Sequence, residues 1–558
     1  MTTENITPRT RCRAFLGLQD LLRRNRGTLP MHMRMRRQMH MHMPMRIPVL
    51  TIVMAAGLAA CANMSGIEPM ATPRDAQSLG LVSQSAAATA ADLAQDSFAP
   101  DWWRGFGDEQ LNALVTQAIA SNPSLKLVQA RLARARAVTE VADAALLPQL
   151  NGAVDVTHQL FTQNGAVPPP LAGTQRDTGT LQLNAGWELD FFGKNRAALD
   201  AALGTVRAAQ ADAQAARVLL AANVARGYFQ VLRLNDQLAV ARRTLALRED
   251  TLRLVRDRVN AGLDSSLELK QSEGSLPDAR QQIEALLEQQ KLAENALAAL
   301  VGQQNTAIAL VHHELSAITG IANASAMPTN LLGRRADIMA ARWRVEAARQ
   351  DIGNAKAQFY PNINLTAFAG FSSIGLGRLL DAGSLQWGVG PALRLPIFDG
   401  GRLRANLTGK TADYDAAVES YNMAVIDAIH DAADQLVSVK SIARQQAEQQ
   451  AAQQASEVAL DIALQRYKAG LGNYLNVLAA ETPVLSQRRL AVDLAARALD
   501  SQVALIRAFG GGYQPDAAAE SSSTSDLPTQ AVQMSQSSSI GNSIGNPIGN
   551  QIKPATQP

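Results

Sequence analysis

Between Thr205 and Ala261 the chain runs for 57 residues with no proline and a single glycine, Gly227. Helix breakers punctuate ordinary globular sequence far more often, so the stretch reads as one helix about 85 Å long at 1.5 Å per residue. Val224, Val231, Leu238, Leu245, Leu252 and Val259 recur at every seventh position along it. A strict heptad repeat keeps an apolar seam on one side and imposes left-handed supercoiling against a partner helix. A rod of this length is about twice the thickness of a bilayer with its headgroups, and no compact domain requires it.

The rod occurs twice. Residues 410–469 contain neither glycine nor proline, and the two rods end alike, in Arg258-Val259-Asn260-Ala261-Gly262-Leu263 and Arg466-Tyr467-Lys468-Ala469-Gly470-Leu471. The elements before them also correspond, ending Phe191-Phe192-Gly193-Lys194-Asn195-Arg196 and Ile397-Phe398-Asp399-Gly400-Gly401-Arg402. The spacing from Arg258 to Arg466, 208 residues, marks an internal duplication with a period too long for an ordinary solenoid. Aromatics at 4% and apolar residues at 47% suit helical rods better than several compact cores.

The formal net charge of +3 misleads, because residues 1–60 hold ten Arg and two acidic groups, leaving 42 basic against 47 acidic residues. Nucleic-acid binding needs clustered positive charge, and the rest of the chain has no such cluster. Arg46 followed by the apolar run 49–60 has the form of a signal segment, too short for a comfortable helical span. The run ends Leu58-Ala59-Ala60-Cys61, which resembles the bacterial lipobox, at which a cysteine is acylated and the leader removed. Acylation of Cys61 would tether the chain through several acyl chains, each buried CH₂ contributing about 0.8 kcal/mol. Ala62 is not the aspartate that retains a lipoprotein in the inner membrane, so the expected address is the outer membrane. The Met-His-Met-Arg tract 31–43 falls upstream of this cut, as does Cys12, and Met45 is a candidate start. Cys61 is then the single cysteine of the mature chain, and no internal disulfide is expected.

Residues 62–100 are rich in Ala, Ser and Pro and read as a linker. Leu111, Leu114, Val115 and Ala118 share one face of a short helix, and Pro123 begins another that runs to Leu147. After Pro148 the period changes to two. Leu150, Val154, Val156 and Leu160 alternate with Asn151, Asp155, Thr157 and Gln159. Leu181, Leu183, Ala185, Trp187, Leu189 and Phe191 alternate with Gln182, Asn184, Glu188 and Asp190. Residues 161–177, with three consecutive prolines and two glycines, separate these two runs as a hairpin loop. The second half repeats the pattern, with Ile363, Leu365, Ala367, Ala369 and Phe371 in one run and Leu385, Trp387, Val389, Leu393 and Leu395 in the other. Each run has about the length of a tilted strand crossing a bilayer, apolar outward and polar inward. Four strands cannot stand open in lipid, where every backbone edge must be paired, so a membrane barrel here would close with other chains. Two soluble hairpins packed over a dry core would show the same alternation.

Helix, strand hairpin, long rod, and then the same order again resembles the outer-membrane factor family of efflux channels, the TolC type, and especially its NodT-like lipoprotein branch. The resemblance covers nearly all of residues 61–512. It rests on Leu58-Ala59-Ala60-Cys61, Asn122-Pro123-Ser124-Leu125, Leu146-Leu147-Pro148-Gln149 and Trp187-Glu188-Leu189-Asp190-Phe191-Phe192-Gly193. In the second half it rests on Leu331-Leu332-Gly333-Arg334-Arg335-Ala336-Asp337-Ile338, Phe359-Tyr360-Pro361 and Arg466-Tyr467-Lys468-Ala469-Gly470. Ala336 stands where the family usually has proline. The fold class implied is mainly α with transmembrane β: a long coiled-coil helical barrel, and four strands per chain contributing to a twelve-stranded barrel shared by a homotrimer. The organisation expected is a leader at 1–60, a lipidated linker at 61–105, efflux repeats at 106–302 and 327–512, and a disordered tail at 513–558.

The resemblance places the turn glycines Gly262 and Gly470 at a periplasmic tip, where each rod folds back into a second helix, 267–300 and 475–509. Glu268 matches a constricting position in the first turn, and Leu475 with Asn476 does so in the second. Three copies of Glu268 would bring like charges together, favouring cations and making the ring sensitive to pH. Asn476 and Ala479 occupy places where relatives often carry aspartate, so closure would lean on Leu475 and Tyr467. Asp264 and Glu481 are weaker gate candidates. The implied partners are a periplasmic adaptor, an inner-membrane pump and outer-membrane lipid, with no nucleic acid.

No nucleophile elbow, phosphate loop or metal-ligand spacing occurs, so neither catalytic residues nor cofactor nor metal is expected. Gly510-Gly511-Gly512 reads as the end of the last helix, and the pair His312-His313 as exposed. The Gln-rich run 445–454 reads as a polar packing face. The function implied is a passive exit duct for small molecules, with a protein-secretion duct and a non-channel coiled-coil lipoprotein as alternatives. Asp101-Trp102-Trp103 and the linker look similar to channels of aromatic-acid or fusaric-acid efflux operons.

Overall fold

The computed structural model describes residues 64–74, 98–303, 310–311, 313–321 and 331–513. Cys61, His312, the leader, most of the linker and the tail lie outside the described residues. Asp108 caps α1 (Glu109–Ser121) by accepting from Leu111 N at 2.9 Å. Asn122 caps α2 (Pro123–Ala144), whose first residue is a proline, by accepting from Ser124 N at 2.8 Å. Proline suits this position because its missing N–H would have no helical partner there. β1 (Gln149–Leu160) and β2 (Gln175–Leu189) lead into the rod α3 (Lys194–Asn260), which returns as α4 (Ser266–Val301). The second half follows the same plan, with α5 (Ala336–Ala357), β3 (Asn362–Ile374), β4 (Leu385–Arg394), the rod α6 (Arg402–Lys468) and α7 (Tyr474–Ala508).

The two rods are each 67 residues long and begin 208 residues apart, at Lys194 and Arg402. Both start upstream of the break-free stretches, because the helices continue straight through Gly204 and Gly409. Gly204 sits inside the rod for packing. A Cβ there would lie 3.0 Å from Ala347 Cβ and 3.1 Å from Ala347 Cα, so the missing side chain lets α3 and α5 touch backbone to backbone. Of the heptad residues, Val224, Val231, Leu238 and Leu252 are buried and Leu245 and Val259 are half-buried, as a seam facing neighbouring helices requires. α2, α3, α5 and α6 lie side by side in the order of the strands they join, and below them the order is α4, α3, α7, α6. No helix among the described residues is long and apolar enough to cross a membrane.

The main core forms midway along the rods, where a short turn Trp102–Phe106 lays Trp102, Trp103 and Phe106 against Tyr228 and Phe229 of α3. Phe106 meets Phe229 edge to face at 5.1 Å, and Tyr228 donates its hydroxyl to Asp108 at 2.8 Å. Leu297 and Val301 of α4 and Val503 and Ile506 of α7 complete the cluster. The two repeats close alike. Asn122 Nδ2 donates to Leu300 O at 2.7 Å, and Arg335 Nη1 donates to Ala508 O at 3.2 Å, so each time the residue opening a helix holds the end of the returning one. The Gln-rich run lies between helices, as a polar packing face does: Gln449 Nε2 donates to Gln487 O on α7 at 2.9 Å.

The four strands form one antiparallel sheet in the order β1-β2-β3-β4. In register, Leu150 faces Ala185, Ala185 faces Ala367 and Ala367 faces Val389, so the apolar sets of all four strands share one face. That face is not a core. Val154 is 70% exposed, Val389 66% and Trp387 73%, which excludes the two-hairpin sandwich among the described residues.

Candidate functional site

The opposite face of the sheet is polar. One row across it reads Asn151, Asn184, Phe368, Gly388, and the next reads Ala153, Gln182, Gly370, Gln386. Gln386 Nε2 donates to Gln182 Oε1 at 3.1 Å, tying β4 to β2 across Gly370. Among the described residues β1 and β4 each have one strand neighbour, so both outer edges of the sheet carry backbone groups without a strand partner. A sheet apolar on its exposed face, polar behind and open at both edges is stable in lipid only when those edges meet further strands.

At the far end of the rods, Gly262 and Gly470 turn the chain with the same φ of 74°. Ser265 then caps α4 and Asn473 caps α7, the latter accepting from Asn476 N at 3.1 Å. The tips carry exposed leucines at equivalent places, Leu263 and Leu267 in the first and Leu471 and Leu475 in the second. Asn476 is also exposed. Glu268 completes a capping box, accepting from Ser265 N at 3.0 Å. Its bonds to the Ser265 hydroxyl and to backbone N–H groups hold the carboxyl below the usual glutamate range.

Asp264 and Tyr467, in different repeats, meet. The Tyr467 hydroxyl donates to Asp264 Oδ2, and Arg258 donates to the same carboxylate through Nε at 2.9 Å and Nη2 at 3.2 Å. The guanidinium also lies 4.6 Å from the centre of the Tyr467 ring and donates to Tyr467 O at 3.2 Å. The ion pair is nearly buried, at 12% and 8% side-chain exposure, and Tyr467 is fully buried. Hydrogen bonding from Arg258 pulls the Asp264 carboxyl below the usual carboxylate range despite burial, while burial and the adjacent carboxylate push the Tyr467 phenol up. The three groups therefore stay ionised, ionised and neutral across the physiological range, a lock between the two hairpins.

Arg258 entered the sequence reading only as the start of the repeated rod ending and not as a site candidate, because an arginine on a polar helix face gives no sign of its partners. Glu481 lies higher, 4% exposed, in a bond from Arg248 at 2.7 Å. Among the described residues, Glu268, Leu475 and Asn476 form no hydrogen bond with Arg258, Asp264 or Tyr467. His313 is exposed.

A family model described as outer membrane efflux protein matches residues 114–303 and 327–511. The chain is 39% identical over 363 residues to the fusaric acid resistance protein FusA of Burkholderia cepacia, covering 64% of this chain and 67% of that one. It is 34% identical over 470 residues to the multidrug resistance outer membrane protein MdtQ of Escherichia coli O6:H1, covering 81% and 96%. Among solved structures, the outer membrane protein VceC from Vibrio cholerae superposes with a TM-score of 0.70 at 37% identity over 75% of this chain and all of that one. The outer-membrane channel OprN gives 0.71 at 27% identity, covering 80% and 98%.

Proposed function

The chain belongs to the outer membrane efflux protein family, a family of channels and not of enzymes, and from that premise we propose that three copies form a passive exit duct in the outer membrane. The observation that carries this reading is the sheet, with its exposed apolar face, polar reverse and two open edges. Joining β4 of one copy to β1 of the next satisfies every backbone edge, and three copies give twelve strands around an aqueous bore. The rods continue the wall into the periplasm, each about 100 Å long. Energy comes from an inner-membrane pump joined through a periplasmic adaptor, and the duct performs no chemistry.

Cys61 is the acylation site in this reading. Met64 and Ile67, just after it, pack against Phe359, Leu403 and Leu407, and Arg404 donates to Ser65 O at 3.3 Å. Phe359 lies just before β3, so the tether starts at the lower border of the sheet, where acyl chains enter the inner leaflet.

The tips are shut at rest by the lock of Arg258, Asp264 and Tyr467, with Leu475 and Asn476 narrowing the second hairpin and Glu268 placing a carboxylate ring in the first. The adaptor docks on the exposed leucines around Gly262 and Gly470 and biases the helices toward an open packing. The cargo is small molecules, drugs and aromatic or organic acids, in keeping with the resistance named for FusA and MdtQ. Purified outer membranes test the reading. A heat-sensitive oligomer on gels and palmitate labelling lost in Cys61→Ser support it; a soluble, unlabelled monomer overturns it.

A further inference from the structure

Phe368 is the one aromatic residue that the register places on the polar face of the four strands. Its neighbours in the row are Asn184 and Gly388. The ring leans onto β4, for a Cβ added at Gly388 would lie 2.6 Å from Phe368 Cε1 and 2.9 Å from Cζ. The glycine thus leaves room for the ring against the wall, while the residue stays 39% exposed. One row away, about 7 Å along the strands, Thr366 stands between Gly186 and Gly390. No atom lies within 4 Å of where a Cβ would be at either glycine. The result is a shallow recess with an aromatic flank, the side-chain amide of Asn184 beside it, and a floor of bare backbone at the two glycines divided by Thr366, whose hydroxyl donates to Gly390 O at 3.2 Å.

We propose that Phe368 with the floor at Gly186 and Gly390 is a stacking subsite for planar aromatic solutes within the bore, a specificity element that rests on the duct reading above. In a twelve-stranded barrel three such recesses lie at one level. A flat ring can cover the glycine floor and meet the edge or face of Phe368, whereas a puckered ring of equal size and charge stands off the wall. The Thr366 hydroxyl and the Asn184 and Gln149 amides border the recess, and the carboxylate one row below, Glu188, is paired with Lys194, so discrimination comes from ring shape and π contact rather than net charge.

The test is fractional block of ionic current through the full-length protein in planar bilayers by benzoate against cyclohexanecarboxylate, which share charge and size. Benzoate is expected to block the wild type more strongly. Phe368→Leu keeps the covered glycine but removes the π face, and should weaken benzoate block about two- to tenfold while leaving cyclohexanecarboxylate unchanged. Phe368→Trp should retain it. Equal block by both acids in the wild type, or a leucine variant that behaves as the wild type, overturns the subsite and leaves the duct standing. Absence of channel current from every form, including ones that also carry Asp264→Ala to unpair the tip lock, removes the bore and both readings with it.

Discussion

Arg248 Nε on α3 donates to Glu481 Oε1 on α7 at 2.7 Å, and its Nη1 donates to Ser275 O on α4 at 2.9 Å. Ser275 stands two residues before Pro277 and Glu481 two residues before Pro483, the prolines inside the two returning helices. A proline removes one i→i−4 bond and makes a helix easiest to bend there. One guanidinium therefore pins both returning helices beside their weakest turns.

The pair has side-chain exposures of 17% and 5%. Glu481→Ala strands a buried guanidinium and is expected to cost about 3–5 kcal/mol, whereas Arg248→Met with Glu481→Leu together should be near neutral for stability. Thermal unfolding of the purified protein measures both. A double variant as unstable as the single one contradicts the desolvation argument.

At the tips, Tyr467→Phe removes one hydrogen bond to a carboxylate, about 1.5–3 kcal/mol of closed-state stabilisation. That corresponds to roughly ten- to hundredfold more open channel when the closed state dominates. Asp264→Ala leaves Arg258 unpaired and should open the tips further. Single-channel recording checks the order, with the wild type least conducting.

The lock has a definite pH dependence. Asp264 titrates below its ordinary value in the folded protein, so its contribution is complete above the unfolded pKa of about 3.9 and is lost as pH falls through the lower folded value. Tyr467 titrates above its ordinary value, so its share is complete below pH about 10 and lost only beyond that. Conductance is expected to stay flat from about pH 5 to 9 and to rise on strong acidification. In Asp264→Asn the acid step from this residue should vanish. A step near pH 6.5 would point to a histidine instead.

Gly510 has φ 101°, and a Cβ there would lie 1.9 Å from Arg334 O. The backbone has no room to yield, because Arg335 already donates to Ala508 O beside it. Gly510→Ala should destabilise the protein by several kcal/mol and lower assembled yield, read as the amount of heat-sensitive oligomer. Gly409→Ala, with open space around it inside α6, should be neutral or slightly stabilising.

The rods, the four alternating strands and the duplication were legible because they are local: a heptad seam, a period of two and a repeated Arg-to-Gly ending need no partner to be recognised. The rod starts were not, since Gly204 reads as a break until Ala347 is seen against it. Asp264 and Tyr467 stood out as turn-proximal residues, but nothing in the chain linked them, and Arg258, legible only as the start of the repeated ending, gave no sign of its partners.

The amino-acid sequence by itself determined the elements, their lengths and which strand face is apolar, because backbone period and breaker placement are decided within a few residues. Only the tertiary structure decided that Arg258, Asp264 and Tyr467 converge, that Arg248 spans two prolines, and that Phe368 rests on Gly388. Such contacts join positions far apart in the chain, Arg258 and Tyr467 being 209 residues apart. They depend on which helix and strand faces pack together, and local pattern does not encode that.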